Sequence, residues 1–229
     1  VFGLSALPLY RLNSTFTTLT IYACVGLLSF LIAKLVRGPV ALAVTLVVGA
    51  NWLLQVVDIV LGGRLQINTV FGYSATVAGR FQGFGNLAFA VAAVSGLVVA
   101  AVPVLMQKPI FGFSVRGWVL FVGFITLIAD GFPWFGADVG GVLAIVPAFG
   151  CLWLMANGEP INFRRLFGVG VAGVAALSGL ALFDLSRPKE SQTHLGRFVR
   201  KLFDGEAGTI IERKVSANIH MLTSSVWTW

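Results

Sequence analysis

Long apolar runs alternate with short polar clusters along this chain. Six windows approach the roughly 20 mostly apolar residues that a transmembrane helix needs. They run from about Thr15 to Leu35, Val40 to Leu61, Gly83 to Met106, Phe111 to Ala129, Gly140 to Ala156 and Leu166 to Phe183. The runs are continuously apolar, whereas strands of a membrane barrel would alternate. A backbone in lipid must also satisfy its polar groups internally. The pattern therefore predicts an all-α protein, an integral membrane helical bundle of about six transmembrane helices over residues 1–183. A C-terminal amphipathic helical tail is expected over residues 184–229. In the tail Leu195, Phe198, Val199, Leu202 and Phe203 recur at helical spacing, with Arg197, Arg200 and Lys201 turned elsewhere. Ile211, Val215, Ile219 and Leu222 make a second stripe. Such helices lie on the headgroup layer or pack over the mouth of the bundle.

Three polar clusters interrupt the apolar runs: Arg80 to Asn86 (RFQGFGN), Asp130 to Gly141 (DGFPWFGADVGG) and Asp184 to Arg197 (DLSRPKESQTHLGR). An even number of spans separates each from the next, so all three fall on one side of the membrane in either orientation. Basic residues in short loops set that orientation. Lys34, Arg37, Lys108, Arg116, Arg164 and Arg165 follow the first, third and fifth spans, against Arg11, Arg64 and Arg80 on the other face before the tail. The first set is expected in the cytoplasm, which puts the clusters at the outer face. The tail is also basic, but long segments translocate largely regardless of charge.

Composition sharpens the membrane reading. Of 229 residues, 57% are hydrophobic and 11% charged, against about 25% charged in a soluble domain. The net charge of +7 is spread between apolar runs and in the tail, which suits anionic lipid headgroups. Membrane lipids are the expected partners. Nucleic acid is not, because no basic-aromatic interleaving is present. Cys24 and Cys151 sit inside apolar runs, as small buried hydrophobes do, with no disulfide framework or metal-ligand spacing. No metal or cofactor is expected. The chain opens on Val1 and closes on Val226-Trp227-Thr228-Trp229, which reads like the start of another interfacial or membrane segment. A fragment of a longer protein, with a further domain beyond it, is expected.

The clusters carry the candidate chemistry. An arginine at the position of Arg80 clamps a phosphate with its planar fork, or snorkels to headgroups. Gly83 and Gly85 allow close backbone approach to a ligand or a neighbouring helix, and Asn86 places a polar group about one turn into the membrane. The glycines do not form a dinucleotide fingerprint, since no βαβ unit surrounds them. Asp130 and Asp138 are costly at a membrane boundary unless paired or solvated. They bind a cation, pair with Arg80 or Arg197, or act as a general base; alternatively the segment is an interfacial turn anchored by Trp134. Asp138 ranks above Asp130 because it lies among small residues leading into the fifth span. His194, beside Arg197, is placed to shuttle protons near neutral pH or simply to hydrogen-bond at the surface. Asp184 is a candidate partner for Arg187. Asn51, Gln55 and Asp58 share one face of the second span at i, i+4 and i+7 and so point into the bundle. They serve interhelical hydrogen bonds or a polar path toward the outer face.

The strings GRFQGFGN, GADVGG and THLGR, in this order between spans, resemble a poorly characterised family of bacterial polytopic membrane proteins with RFYGxGN, GADxGG and THLGR-like motifs. The likeness covers roughly residues 70 to 220, and the chain departs from it at Gln82, where an aromatic residue is common. It implies a multi-pass protein of the bacterial cytoplasmic (inner) membrane and little about mechanism. The segment from Arg80 to Asn86 with its following alanine-rich helix is also similar to O-antigen ligases and polymerases, which transfer glycans from polyprenyl diphosphate carriers. That likeness implies Arg80 as diphosphate ligand and His194 as a base. The Pro-Asn continuation after Asn86 and the large outer loop of those enzymes are missing.

The expected function is binding or processing of an anionic, lipid-linked substrate of the polyprenyl phosphate type at the outer face. Arg80 and Arg197 would hold the phosphate, with Asn86, Asp130 and Arg187 beside them, and Asp138 and His194 would orient or deprotonate an acceptor. The residues leave catalysis itself open. The alternatives are a transporter or flippase with Asn51, Gln55 and Asp58 along its route, and a non-catalytic membrane anchor for a missing domain.

Overall fold

The structure, a computed structural model, describes residues 14–35, 40–65, 83–205 and 208–224. Among these residues there are eight α-helices and no strand, only an isolated bridge between Ile110 and Phe113. The helices are α1 (Ser14–Leu35), α2 (Val40–Val60), α3 (Asn86–Met106), α4 (Val115–Gly131), α5 (Val139–Ala156), α6 (Phe163–Leu185), α7 (His194–Phe203) and α8 (Gly208–Ser224). A 3-10 turn, Lys189–Ser191, precedes α7. Four helices are long and apolar enough to cross a membrane: α3, α5, α6 and the Ala43–Val60 part of α2. α1 holds a shorter apolar stretch, Ala23–Ile32, and α4 has 17 residues. The described residues are thus all-helical, with four helices suited to a membrane, as the apolar runs predict. Arg11, Arg37, Arg80, Gln82 and the Val226–Trp229 end lie outside the described residues.

Helix ends differ from the hydropathy windows where backbone capping decides them. The fourth window opens at Phe111, but Phe111 (φ 49°) and Gly112 (φ 80°) form a tight turn closed by reciprocal Ile110–Phe113 hydrogen bonds. Ser114 then caps α4 by accepting from the Gly117 N–H at 3.1 Å, one of the orphan donors of a first turn. At its other end α4 runs past Ala129 to Gly131, so Asp130 is a helical residue. α5 starts after Asp138, whose side chain caps it.

The chain divides into two compact units, residues 1–177 and 178–229, with the boundary inside α6. In the first unit α2, α3, α4 and α5 form the core, and α1 touches α2 only lightly. α2 and α3 run antiparallel: Asn51 Nδ2 donates to Ser95 Oγ at 3.0 Å, and Ile59 packs with Ala88 and Phe84. α2 and α4 run parallel, joined by the Trp52 Nε1–H to Thr126 Oγ1 bond at 3.0 Å. One apolar cluster gathers Trp52, Val99, Ala100, Val119, Val122, Ile145 and Phe149. A second, nearer the C-terminal end of α2, gathers Ile59, Phe84, Ala88, Ala92 and Ala129. Outward-facing leucines and phenylalanines such as Leu27, Phe30, Leu105, Phe124 and Leu182 remain exposed, as expected of a surface that meets lipid.

The second unit contains the helices α7 and α8.

Gly96 makes the Trp52–Thr126 contact possible. A Cβ there would stand 2.9 Å from Thr126 Oγ1 and 3.0 Å from Trp52 Nε1. Gly96→Ala is expected to cost about 1–3 kcal/mol through overpacking, read as a lower unfolding temperature of the purified protein in detergent.

Candidate functional site

The C-terminal ends of α2 and α4 and the N-terminal ends of α3 and α5 lie together at one end of the first unit. Two of the three polar clusters meet there. The Phe84 N–H donates to the Gly136 carbonyl at 3.1 Å, and Phe84 is buried with Ile59, Ala88 and Ala129. Gly83 has φ +93°, and a Cβ on it would run into the Gly136 carbonyl; the residue must be glycine on both counts. The turn between α4 and α5 is closed by Gly136 N–H to Ala129 carbonyl at 2.9 Å and Asp138 N–H to Asp130 carbonyl at 3.0 Å.

Asp130 is the centre of this end. It is 1% exposed, and its carboxylate lies where a Cβ on Gly141 would have to stand. That places the carboxyl group against the first turn of α5, where the helix dipole favours negative charge. Asp138 is half-buried, and its Oδ1 accepts from the Gly140 N–H at 3.1 Å. Its carboxylate is therefore engaged as the α5 cap. Asn86 is exposed at the start of α3.

Buried polar groups climb toward this end from the middle of the bundle. Asn51–Ser95 and Trp52–Thr126 form the lowest level, and Thr126 also donates to the Val122 carbonyl at 2.8 Å. At about 1.5 Å rise per residue, Gln55 stands one turn above Trp52, and Asp130 one turn above Thr126. Asp58 is higher again, and its Oδ1 accepts from the Leu65 N–H at 3.0 Å. Gln55 is 2% exposed, and neither polar atom of its amide has a hydrogen-bond partner among the described residues. Below the Trp52 level the core is apolar. The expected face shared by Asn51, Gln55 and Asp58 thus points inward, and its first member makes the interhelical hydrogen bond anticipated for it.

The third cluster folds within the second unit. Asp184 is fully buried at 0% exposure. It accepts from the Thr193 N–H at 3.0 Å, the Thr193 hydroxyl at 2.7 Å and the Gly196 N–H at 2.8 Å. The Arg187 Nη1–H also donates to it at 3.0 Å, which is the pairing expected from sequence. A Cβ on Gly196 would stand 2.6 Å from Asp184 Oδ2. Gln192, also buried, donates to the Leu185 and Arg187 carbonyls and accepts from Arg200 Nε–H at 2.8 Å. Thr193 doubles as the α7 cap by accepting from the Leu195 N–H. His194 and Arg197 are exposed and adjacent, with Arg197 Nη2 3.4 Å from His194 Nδ1.

The site residues read from sequence therefore divide. Asn51, Gln55, Asp58, Asn86, Asp130 and Asp138 belong to the first unit, and Asp184, Arg187, His194 and Arg197 to the second. Arg80 lies outside the described residues. Sequence reading missed Thr193 and Gly196, which hold Asp184, and Gln192, which ties the same loop to α7 through Arg200. A threonine followed three residues later by a glycine, just before an amphipathic helix, is the signal that carried them. Among the described residues no cluster of His, Cys, Asp and Glu has metal-binding geometry. Compared with protein-family models, curated proteins and solved structures, the chain matches none.

Thr193→Val removes a donor to a buried carboxylate and a helix cap, at an expected cost of about 1–3 kcal/mol. Hydrogen exchange should show α7 amides exchanging faster while α2 to α5 are unchanged, and Thr193→Ser should restore protection.

Proposed function

We propose that this chain binds and acts on an anionic, lipid-linked substrate of the polyprenyl phosphate type at the face built by Gly83–Asn86 and Asp130–Asp138. One observation carries this reading: Gln55, Asp58, Ser95, Thr126 and Asp130, the buried polar residues among the described part of the first unit, occupy the half of the bundle beneath those segments, above an apolar core. A ligand with a polar head and a long apolar chain matches such an end, with its head at the polar mouth and its chain in the lipid. Arg80, three residues before Gly83, supplies the phosphate clamp. The N-terminus of α3 at Asn86 adds N–H groups of the right polarity. Asp130 is the carboxylate that orients or deprotonates an acceptor, in preference to Asp138, whose cap bond engages it. In this proposal α1 and α4 cross with the four longer helices, in the bacterial cytoplasmic membrane, and the Arg116 and Arg165 end faces the cytoplasm.

The test is binding of polyprenyl diphosphate to the purified full chain in detergent. Loss of one charge-assisted clamp in Arg80→Ala should weaken binding roughly tenfold or more, with Arg80→Lys intermediate. Equal affinity in wild type and Arg80→Ala overturns the reading.

Gln55 favours a second reading, a transporter or flippase. A buried amide without a partner is costly, and a polar group moving along α2 would satisfy it. Flux of the lipid-linked substrate in proteoliposomes should then fall in Gln55→Leu and Asp58→Asn while binding at the face persists; unchanged flux rejects this reading.

A further inference from the structure

The end of the first unit remote from Asp130 holds a second feature, independent of the proposed function. A polar cavity of about 290 Å³ opens between the start of α4, the end of α5 and the start of α6. It is lined by Arg116, Trp153, Leu154, Asn157, Glu159 and Arg165. A groove of about 480 Å³ between α4, α5 and α6 adjoins it, sharing Trp153, Leu154 and Arg165. Apart from Arg165 and the indole N–H of Trp153, the groove walls are apolar, among them Leu120, Phe124, Phe149 and Val169.

Two guanidinium groups face one carboxylate in the cavity, so it is net cationic. Arg165 is fixed in place: it pairs with Glu159, donates to the Pro160 carbonyl at 2.8 Å, and its own N–H is capped by Asn162 at 3.0 Å. Arg116 is exposed and makes no hydrogen bond or ion pair among the described residues. Trp153 and Asn157 both line the cavity, and the Trp153 Nε1–H and Asn157 Oδ1 are buried with no partner among the described residues. An indole N–H only donates, so the group it awaits is an acceptor. The Asn157 amide presents donors as readily, by rotation about its last bond.

We propose that this cavity and groove form a binding site for one anionic phospholipid. Its phosphate sits between Arg116 and Arg165 and accepts from the Trp153 indole, and one acyl chain lies in the groove along α4, α5 and α6. Charge complementarity selects the headgroup. The waiting indole donor sets where its oxygen stands, and the apolar walls require a chain attached to it. A free phosphate ion would satisfy the first two demands and leave the groove empty.

Native mass spectrometry of the purified full chain tests this with three probes: phosphatidylglycerol, phosphatidylcholine and inorganic phosphate. Phosphatidylglycerol should be retained in preference to phosphatidylcholine, and excess inorganic phosphate should not displace it. Arg116→Ala and Trp153→Phe should each lower its affinity by roughly tenfold, one charge-assisted hydrogen bond. Leu120→Trp, which fills the groove from an exposed position, should lower it too. Arg64→Ala, an exposed arginine following α2, serves as the control and should change nothing. Equal retention of both lipids, full displacement by inorganic phosphate, or wild-type affinity in Arg116→Ala and Trp153→Phe overturns the proposal. So does a result in which Leu120→Trp alters only the oligomeric state, because the groove would then seat a second copy of the chain.

Discussion

A carboxylate withdrawn from water must be met by the groups around it, and the described fold is shaped by that demand at two places. Asp130 is accommodated because Gly141 leaves room for it at the first turn of α5, and because the Gly136 turn folds back over the end of α4. Asp184 is accommodated by two N–H groups, a hydroxyl and an arginine drawn from the following loop and helix. In both cases glycine is required because any side chain would occupy the space of the anion. Gly141 and Gly196 are thus the negative image of buried acids.

That relation also explains how much of the fold and site could be read from sequence. Spans appear as apolar runs because lipid imposes composition on a helix regardless of its neighbours. The all-helical class and the long helices α2, α3, α5 and α6 were legible for that reason. Their ends were not, since Ser114 and Asp138 set them through single capping bonds. The inward face of α2 was visible from the spacing of Asn51, Gln55 and Asp58. The roles inside the clusters were less visible. Asp138 reads as the more promising carboxylate because of its small neighbours; in the structure it caps α5, and Asp130 is the buried one. In THLGR the conspicuous histidine and arginine are at the surface, while the unremarkable threonine and glycine hold Asp184. Titratable residues draw the eye, but the structure uses the small ones to place them.

The two ends of the first unit differ in kind. One has carboxylates and amides sunk among helices, with glycine contacts knitting its turns together. The other is open, cationic and continuous with an apolar groove. Between them the cluster around Val99, Val122 and Phe149 is apolar. Polarity therefore changes along the bundle axis rather than around it, which suits a protein whose two faces meet different solutions.

The clasp around Asp184 has one more consequence. Each of its hydrogen-bonded partners lies within twelve residues of the aspartate along the chain, so closing it requires no distant segment. Loops of about ten residues close in roughly 10–100 ns, far faster than helices find one another across a bilayer. During synthesis this turn can therefore set at once when Gly196 emerges, fixing the direction in which α7 leaves the last apolar helix before any tertiary neighbour is available to guide it.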